Sequence, residues 1–153
     1  MLTHFTRSIT TRTARYLSSS VPALMREELE QRLKADFPTL FELGCSCDID
    51  DGWEPLLRRL CVDIHHEKTL HFMQIKEKFG GLRAYTNGCS DEVMKRVDAA
   101  EEESFWTCER CGKDGQLASA NSGWLFTTCQ DCLDLRIANG RSCTWVNRNR
   151  DES

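Results

Sequence analysis

The residues predict an α+β fold, with helices around a small β-hairpin or sheet and a compact C-terminal module built on four cysteines. Three observations carry that class. Trp53, Leu56, Leu57, Leu60, Cys61 and Ile64 fall at i, i+3, i+4, i+7, i+8 and i+11, the spacing of one buried helical face. Short runs rich in apolar residues flank Phe79-Gly80-Gly81 and read as paired strands. Cys108-x-x-Cys111 is answered by Cys129-x-x-Cys132 after 17 intervening residues.

Taken in order, the first helix is expected over 22–35. Pro22 suits an opening turn, where its missing N–H would be unpaired anyway. Met25, Leu29 and Leu33 recur at every fourth position, Phe37 continues the stripe and Pro38 ends it. The turn-rich acidic stretch 44–52 separates this helix from a second over 53–65. Strands are expected at 70–76 and 82–86, reversing through 77–81, with the two adjacent glycines supplying the positive φ angles of the turn. A third helix is expected over 91–103, with Ser90 as N-cap, Asp91 and Glu92 at its positive end, and Val93, Val97 and Ala100 on its inner edge. Glu101-Glu102-Glu103 reads as a solvated face.

The paired cysteines carry the most specific chemistry. Two residues between thiolates allow a tight turn to aim both sulfurs at one ion, and Gly112 lets the chain curl beneath them. Two such pairs complete a tetrahedral shell of four thiolates, the composition of a structural zinc site closed to substrate. The predicted ligands of one structural zinc are therefore Cys108, Cys111, Cys129 and Cys132. Between them, 116–119 and 123–128 suit a short hairpin, with Trp124 and Phe126 expected to pack over the metal. A short helix over 133–138 should follow and stop at Asn139-Gly140. Knuckle, hairpin and ligand-bearing helix is the treble-clef order; a zinc ribbon is the alternative. Residues 105–140 should depend on metal for folding. The implied organisation is a leader or extension over 1–24, an α+β domain over 25–104, the zinc module over 105–140 and a basic tail over 141–153.

Composition narrows the function classes. The 153 residues are 40% hydrophobic and 29% charged, as in an ordinary globular protein, and no apolar run approaches the ~20 residues of a membrane-spanning helix. Nine cysteines, an odd count without a secretory signal pattern, read as reduced thiols, not as a disulfide scaffold. The formal charge is −4, and four thiolates with one Zn²⁺ would lower it by two more, so a generic affinity for nucleic acid through excess positive charge is unsupported. Residues 1–20 combine Arg7, Arg12 and Arg15 with nine Ser or Thr and no carboxylate, a composition that fits a mitochondrial transit peptide or a disordered leader.

Other groupings are weaker. Cys45-x-Cys47, Cys61, Cys89 and Cys143 lack a matching second pair and read as isolated thiols. His65 and His66, with Asp51 or Asp63, are the candidates for a metal-dependent hydrolase or nuclease, but sit where a helix end alone would favour imidazoles. No histidine motif follows the cysteine pairs, so a ββα-metal nuclease site is absent. Lys76, Lys78 and Arg83 cluster around Phe79 as a basic aromatic hairpin suited to phosphate, nucleic acid or an acidic protein surface. Arg136 and Arg141, with Arg148, Arg150 and Trp145, form a second basic candidate.

The helix opening Met25-Arg26-Glu27-Glu28-Leu29, the Asp51-Gly52-Trp53 helix start, the run Gln74-Ile75-Lys76-Glu77-Lys78-Phe79-Gly80-Gly81-Leu82-Arg83, the glutamate-rich helix leading to Ser104 and the cysteine pairs together resemble a family of small bacterial and phage zinc-knuckle proteins. The resemblance covers about residues 25–135 and implies a prokaryotic, often phage-borne, cytoplasmic protein without an assigned reaction. It also implies that 1–24 is an extension. The expectation is thus a non-enzymatic structural-zinc module presenting a surface to a protein or nucleic-acid partner, with no membrane partner and no small-molecule substrate. The alternatives are the hydrolase above or a structural subunit of a larger assembly.

Overall fold

The computed structural model describes residues 24–147, an α+β arrangement of four helices and two three-stranded sheets. The strongest periodicity becomes the central helix, α2 (Glu54–Ile64), entered through a 3₁₀ turn at Asp51–Trp53 with Pro55 in its first turn. Its Leu56, Leu57, Leu60, Cys61 and Ile64 are buried together with Trp53, as one face of a helix requires.

The first helix, α1 (Glu27–Asp36), begins later than the expected 22–35. Pro22 lies outside the described residues. The start at Glu27 is fixed by a partner distant in sequence: the Asp51 carboxylate accepts the Arg26 backbone N–H at 2.7 Å and its Nε at 2.5 Å. A negative group is thereby placed at the positive end of the helix.

The main core lies between α1, α2, α3 (Asp91–Ser104) and one face of the first sheet, made of β1 (Cys47–Asp48), β2 (Phe72–Lys78) and β3 (Gly81–Thr86) in the order β1-β2-β3. Cys47, Phe72, Ile75, Leu82 and Ala84 face inward. The β1–β2 pairing is parallel, Cys47 opposite Ile75, and the hairpin is antiparallel, Lys76 opposite Arg83. Ser90 caps α3 by accepting the Val93 N–H at 3.3 Å, and Val93, Val97 and Ala100 are buried as expected.

The glutamate run at the end of α3 is the expected solvated face at Glu103, but not at Glu101, which is drawn into the fold. Glu101 accepts the Ala84 N–H at 3.0 Å and pairs with Arg83, Glu103 pairs with Arg59, and Ser104 Oγ accepts the Leu82 N–H at 2.8 Å. Glu101 and Ser104 thereby satisfy donors along the outer edge of β3, which would otherwise stand open to another strand.

The hairpin turn also differs. The strands run to Lys78 and restart at Gly81, so the reversal is the two residues Phe79 and Gly80, with φ of 53° and 80°. Gly81 supplies no positive φ; it is glycine because a Cβ there would meet the Phe105 ring at 2.4 Å.

The second sheet, β5-β4-β6, comprises β4 (Gln116–Ala120), β5 (Leu125–Thr128) and β6 (Cys143–Trp145), with α4 (Gln130–Ala138) following β5. Residues 141–147 are therefore more than a basic tail, since β6 pairs with β4 through Ala118↔Trp145 and Ala120↔Cys143. Ala118, Phe126 and Leu133 form a small separate core. Among the described residues no helix is long and apolar enough to cross a membrane.

Candidate metal centre

Each cysteine pair is aimed by its own backbone. The first sits in a tight turn: Gly112 N–H donates to Cys108 O at 2.9 Å and Cys108 N–H to Lys113 O at 2.8 Å, with Gly112 at φ +77°. The second sits at the start of α4, where Cys129 is the N-cap residue and Cys132 lies in the first turn. Unpaired N–H groups at that end of a helix favour thiolate over thiol.

The four Sγ atoms lie within 4.8 Å of one another, and they are the one such group of three or more metal-ligating side chains among the described residues. Sulfurs at ~2.3 Å from a central ion stand about 3.8 Å apart in a tetrahedron, so the spacing suits a single ion. Three of the four are buried and Cys111 is exposed. All nine cysteines of the chain are free thiols. The donor set is chemically sufficient for a metal ion.

Electrostatics point the same way. Burial, then the neighbouring Cys108, push the Cys132 thiol well up, and burial raises Cys111 also. Hydrogen bonding from the Cys132 backbone and from the adjacent thiols outweighs burial at Cys129 and holds it down. Four sulfurs this close cannot all ionise beside one another without a cation between them.

The centre is fastened to the rest of the fold at two places. At the first, Gly52 N–H donates to Glu109 O at 2.8 Å and Trp53 Nε1 to Thr107 O at 2.8 Å. A Cβ on Gly52 would fall 2.3 Å from Cys108 O and 2.6 Å from Gly112 N, so the knuckle packs directly against the backbone entering α2. At the second, Thr127 Oγ1 donates to Gly80 O at 2.6 Å, and a Cβ on Gly80 would meet Leu117 Cδ1 at 2.3 Å. The hairpin tip is thus clamped by β4 and β5.

No family model, curated protein or solved structure matches the chain.

The other predicted residues disperse. Asp51 caps α1, Asp63 approaches Arg96 at 3.9 Å, His65 Nδ1 lies 2.7 Å from Val62 O, and His66 stands 3.7 Å from Glu67, so the hydrolase candidates do not converge. Arg83 pairs with Glu101 and lies over the Phe105 ring, while Arg136 pairs with buried Glu109 at 2.9 Å and lies 4.2 Å from the Phe126 centroid. Both arginines serve internal packing. Burial pushes the Glu109 carboxyl up to about 8, with the Arg136 guanidinium pulling against it. Arg141 is half-buried and its N–H donates to Arg136 O. Lys76, Lys78 and Phe79 remain on the hairpin surface.

Phe126 packs with Ala118 and Leu133, not over the sulfurs, and Trp124 is 59% exposed in the β4–β5 turn. Sequence reasoning missed Gly52, Trp53 and Thr127 as residues serving this centre. The Asp51-Gly52-Trp53 signal was present in the sequence, but nothing local connects it to a knuckle more than 50 residues on.

Proposed function

We propose that the chain is a zinc-organised binding module: Cys108, Cys111, Cys129 and Cys132 hold one structural Zn²⁺, and the ion fixes a surface for a protein or nucleic-acid partner. Convergence of four sulfurs within 4.8 Å carries this reading. Zinc is favoured because thiolates prefer soft or borderline ions and a four-thiolate shell has no geometric demand beyond a tetrahedron. Such an ion supplies cross-linking and charge neutralisation. With all four positions filled by protein it has no site for substrate.

A knuckle, then the β4–β5 hairpin, then α4 bearing the last two ligands supports assignment to the treble-clef type. Nine free thiols support a reducing, cytoplasmic setting. The phage-borne role suggested by the resemblance remains part of the same proposal.

Native mass spectrometry of the full chain tests it. One zinc per chain is expected, lost in Cys108→Ser and in Cys132→Ser. A metal-free chain that keeps its fold, or an iron–sulfur mass, contradicts it.

A further inference from the structure

We infer that the tip and outer face of the β2–β3 hairpin dock an acidic, apolar-bearing segment of a partner protein, seated on Phe79 and Tyr85 and paired with Lys76 and Lys78. The inference rests on the binding-module reading above and names the surface and the partner's chemistry.

Phe79 is the single non-glycine residue at positive φ among the described residues. The turn position it occupies suits Asn, Asp or Gly, because a Cβ there crowds the backbone. Its side chain recovers little by burial, the residue being 67% exposed. An exposed phenyl ring held in an unfavourable backbone conformation marks a contact made with something else. The surroundings hold it there: Glu77 accepts the Gly80 N–H at 2.6 Å from below, and Thr127 and Leu117 fix Gly80 from the metal module.

Charge supplies a second, independent observation. Lys78 lies 5.4 Å from the Phe79 ring and Lys76 5.6 Å from the Tyr85 ring, and neither lysine has a carboxylate within salt-bridge range among the described residues. Arg58, Arg59, Arg96 and Lys113 are paired with carboxylates. Lys76 and Lys78 differ from other described lysines without a carboxylate in range, such as Lys68 and Lys95, in lying over exposed aromatic rings. Register places the groups together: Lys76 opposite Arg83 and Gln74 opposite Tyr85 share the solvent face of the sheet. Tyr85 and Met73 are exposed as well, so the lysines border apolar surface.

A protein segment fits this better than a nucleic acid. Two isolated lysines make no continuous track for a phosphate backbone, and Asp48, paired in register with Lys76, interrupts any extension of the cationic surface towards β1. Exposed aromatic residues with Met73 beside them match the enriched composition of a protein contact, with the two lysines at its polar rim.

The test is selection of a random peptide library displayed on yeast against the full, zinc-loaded chain, with affinities of the enriched peptides then measured by fluorescence anisotropy. Enriched peptides should combine Asp or Glu with aromatic or aliphatic residues. Phe79→Gly, which suits the turn's φ, and Lys78→Glu should each weaken binding by at least about tenfold while zinc content and circular dichroism stay unchanged. Absence of enrichment, enrichment without acidic residues, or affinities indifferent to both substitutions overturns the inference. So does tighter binding of single-stranded oligodeoxythymidine with the same sensitivity to the two variants. Zinc content measured on the same samples separates the two readings: zinc-bound protein that selects nothing sinks the docking surface alone, whereas zinc-free folded protein sinks the module.

Discussion

Gly52 shows how a single residue can join the candidate metal centre to a core. Its Cβ position is occupied by backbone atoms of Cys108, Glu109 and Gly112, none of which can swing aside. Gly52→Ala should therefore lower stability by about 1–3 kcal/mol or more and weaken zinc binding by roughly 10–100-fold, measured by urea unfolding and chelator competition. Cys61 illustrates the opposite use of the same residue type as the ligands. Burial pushes its thiol up to about 12, against a thiol titrating near ~8.5 in an unfolded chain. A raised folded pKa means the stabilisation is complete below the unfolded value and is lost as pH climbs from there towards 12. Cys61→Ala should accordingly show a shallower alkaline fall in urea midpoint than the parent protein. The two classes of cysteine were distinguishable in the sequence, because CxxC spacing encodes a local turn. Gly52 was not, since its constraint comes from a segment distant in sequence.

At the scale of elements, the hairpin and α3 depend on each other. Ser104 and Glu101 take up the Leu82 and Ala84 N–H groups on the β3 edge, so α3 acts as a lid on a strand that would otherwise be open. Ser104→Ala leaves the Leu82 N–H buried without an acceptor, and an unfolding titration of zinc-loaded protein should record a loss of about 1–3 kcal/mol. Helices α2 and α3 and the hairpin were legible because their periods extend over enough residues to be read. The two-residue β1 and the three-residue β6 were not, being too short to show alternation and defined by pairing with β2 and β4. The turn was placed one residue late for a physical reason: a double glycine suggests a shared conformational role, whereas Gly80 serves φ and Gly81 serves packing against Phe105.

In the whole molecule, two sheets and two cores meet at the Gly52–Trp53 turn and at Gly80, and both junctions are made by residues flanking or lying between the cysteine pairs. An ion at that centre would stabilise more than residues 105–140, because loss of the knuckle removes the acceptors of Gly52 and Trp53 and loosens the clamp on the hairpin tip. The most direct test is hydrogen exchange followed by mass spectrometry on zinc-loaded and chelator-treated protein. The account predicts that chelation strips protection from residues 105–140 and, with them, from 51–53 and 77–82, while the centre of α2 exchanges more slowly than either. Protection at 77–82 that is unchanged by removal of the metal would contradict it.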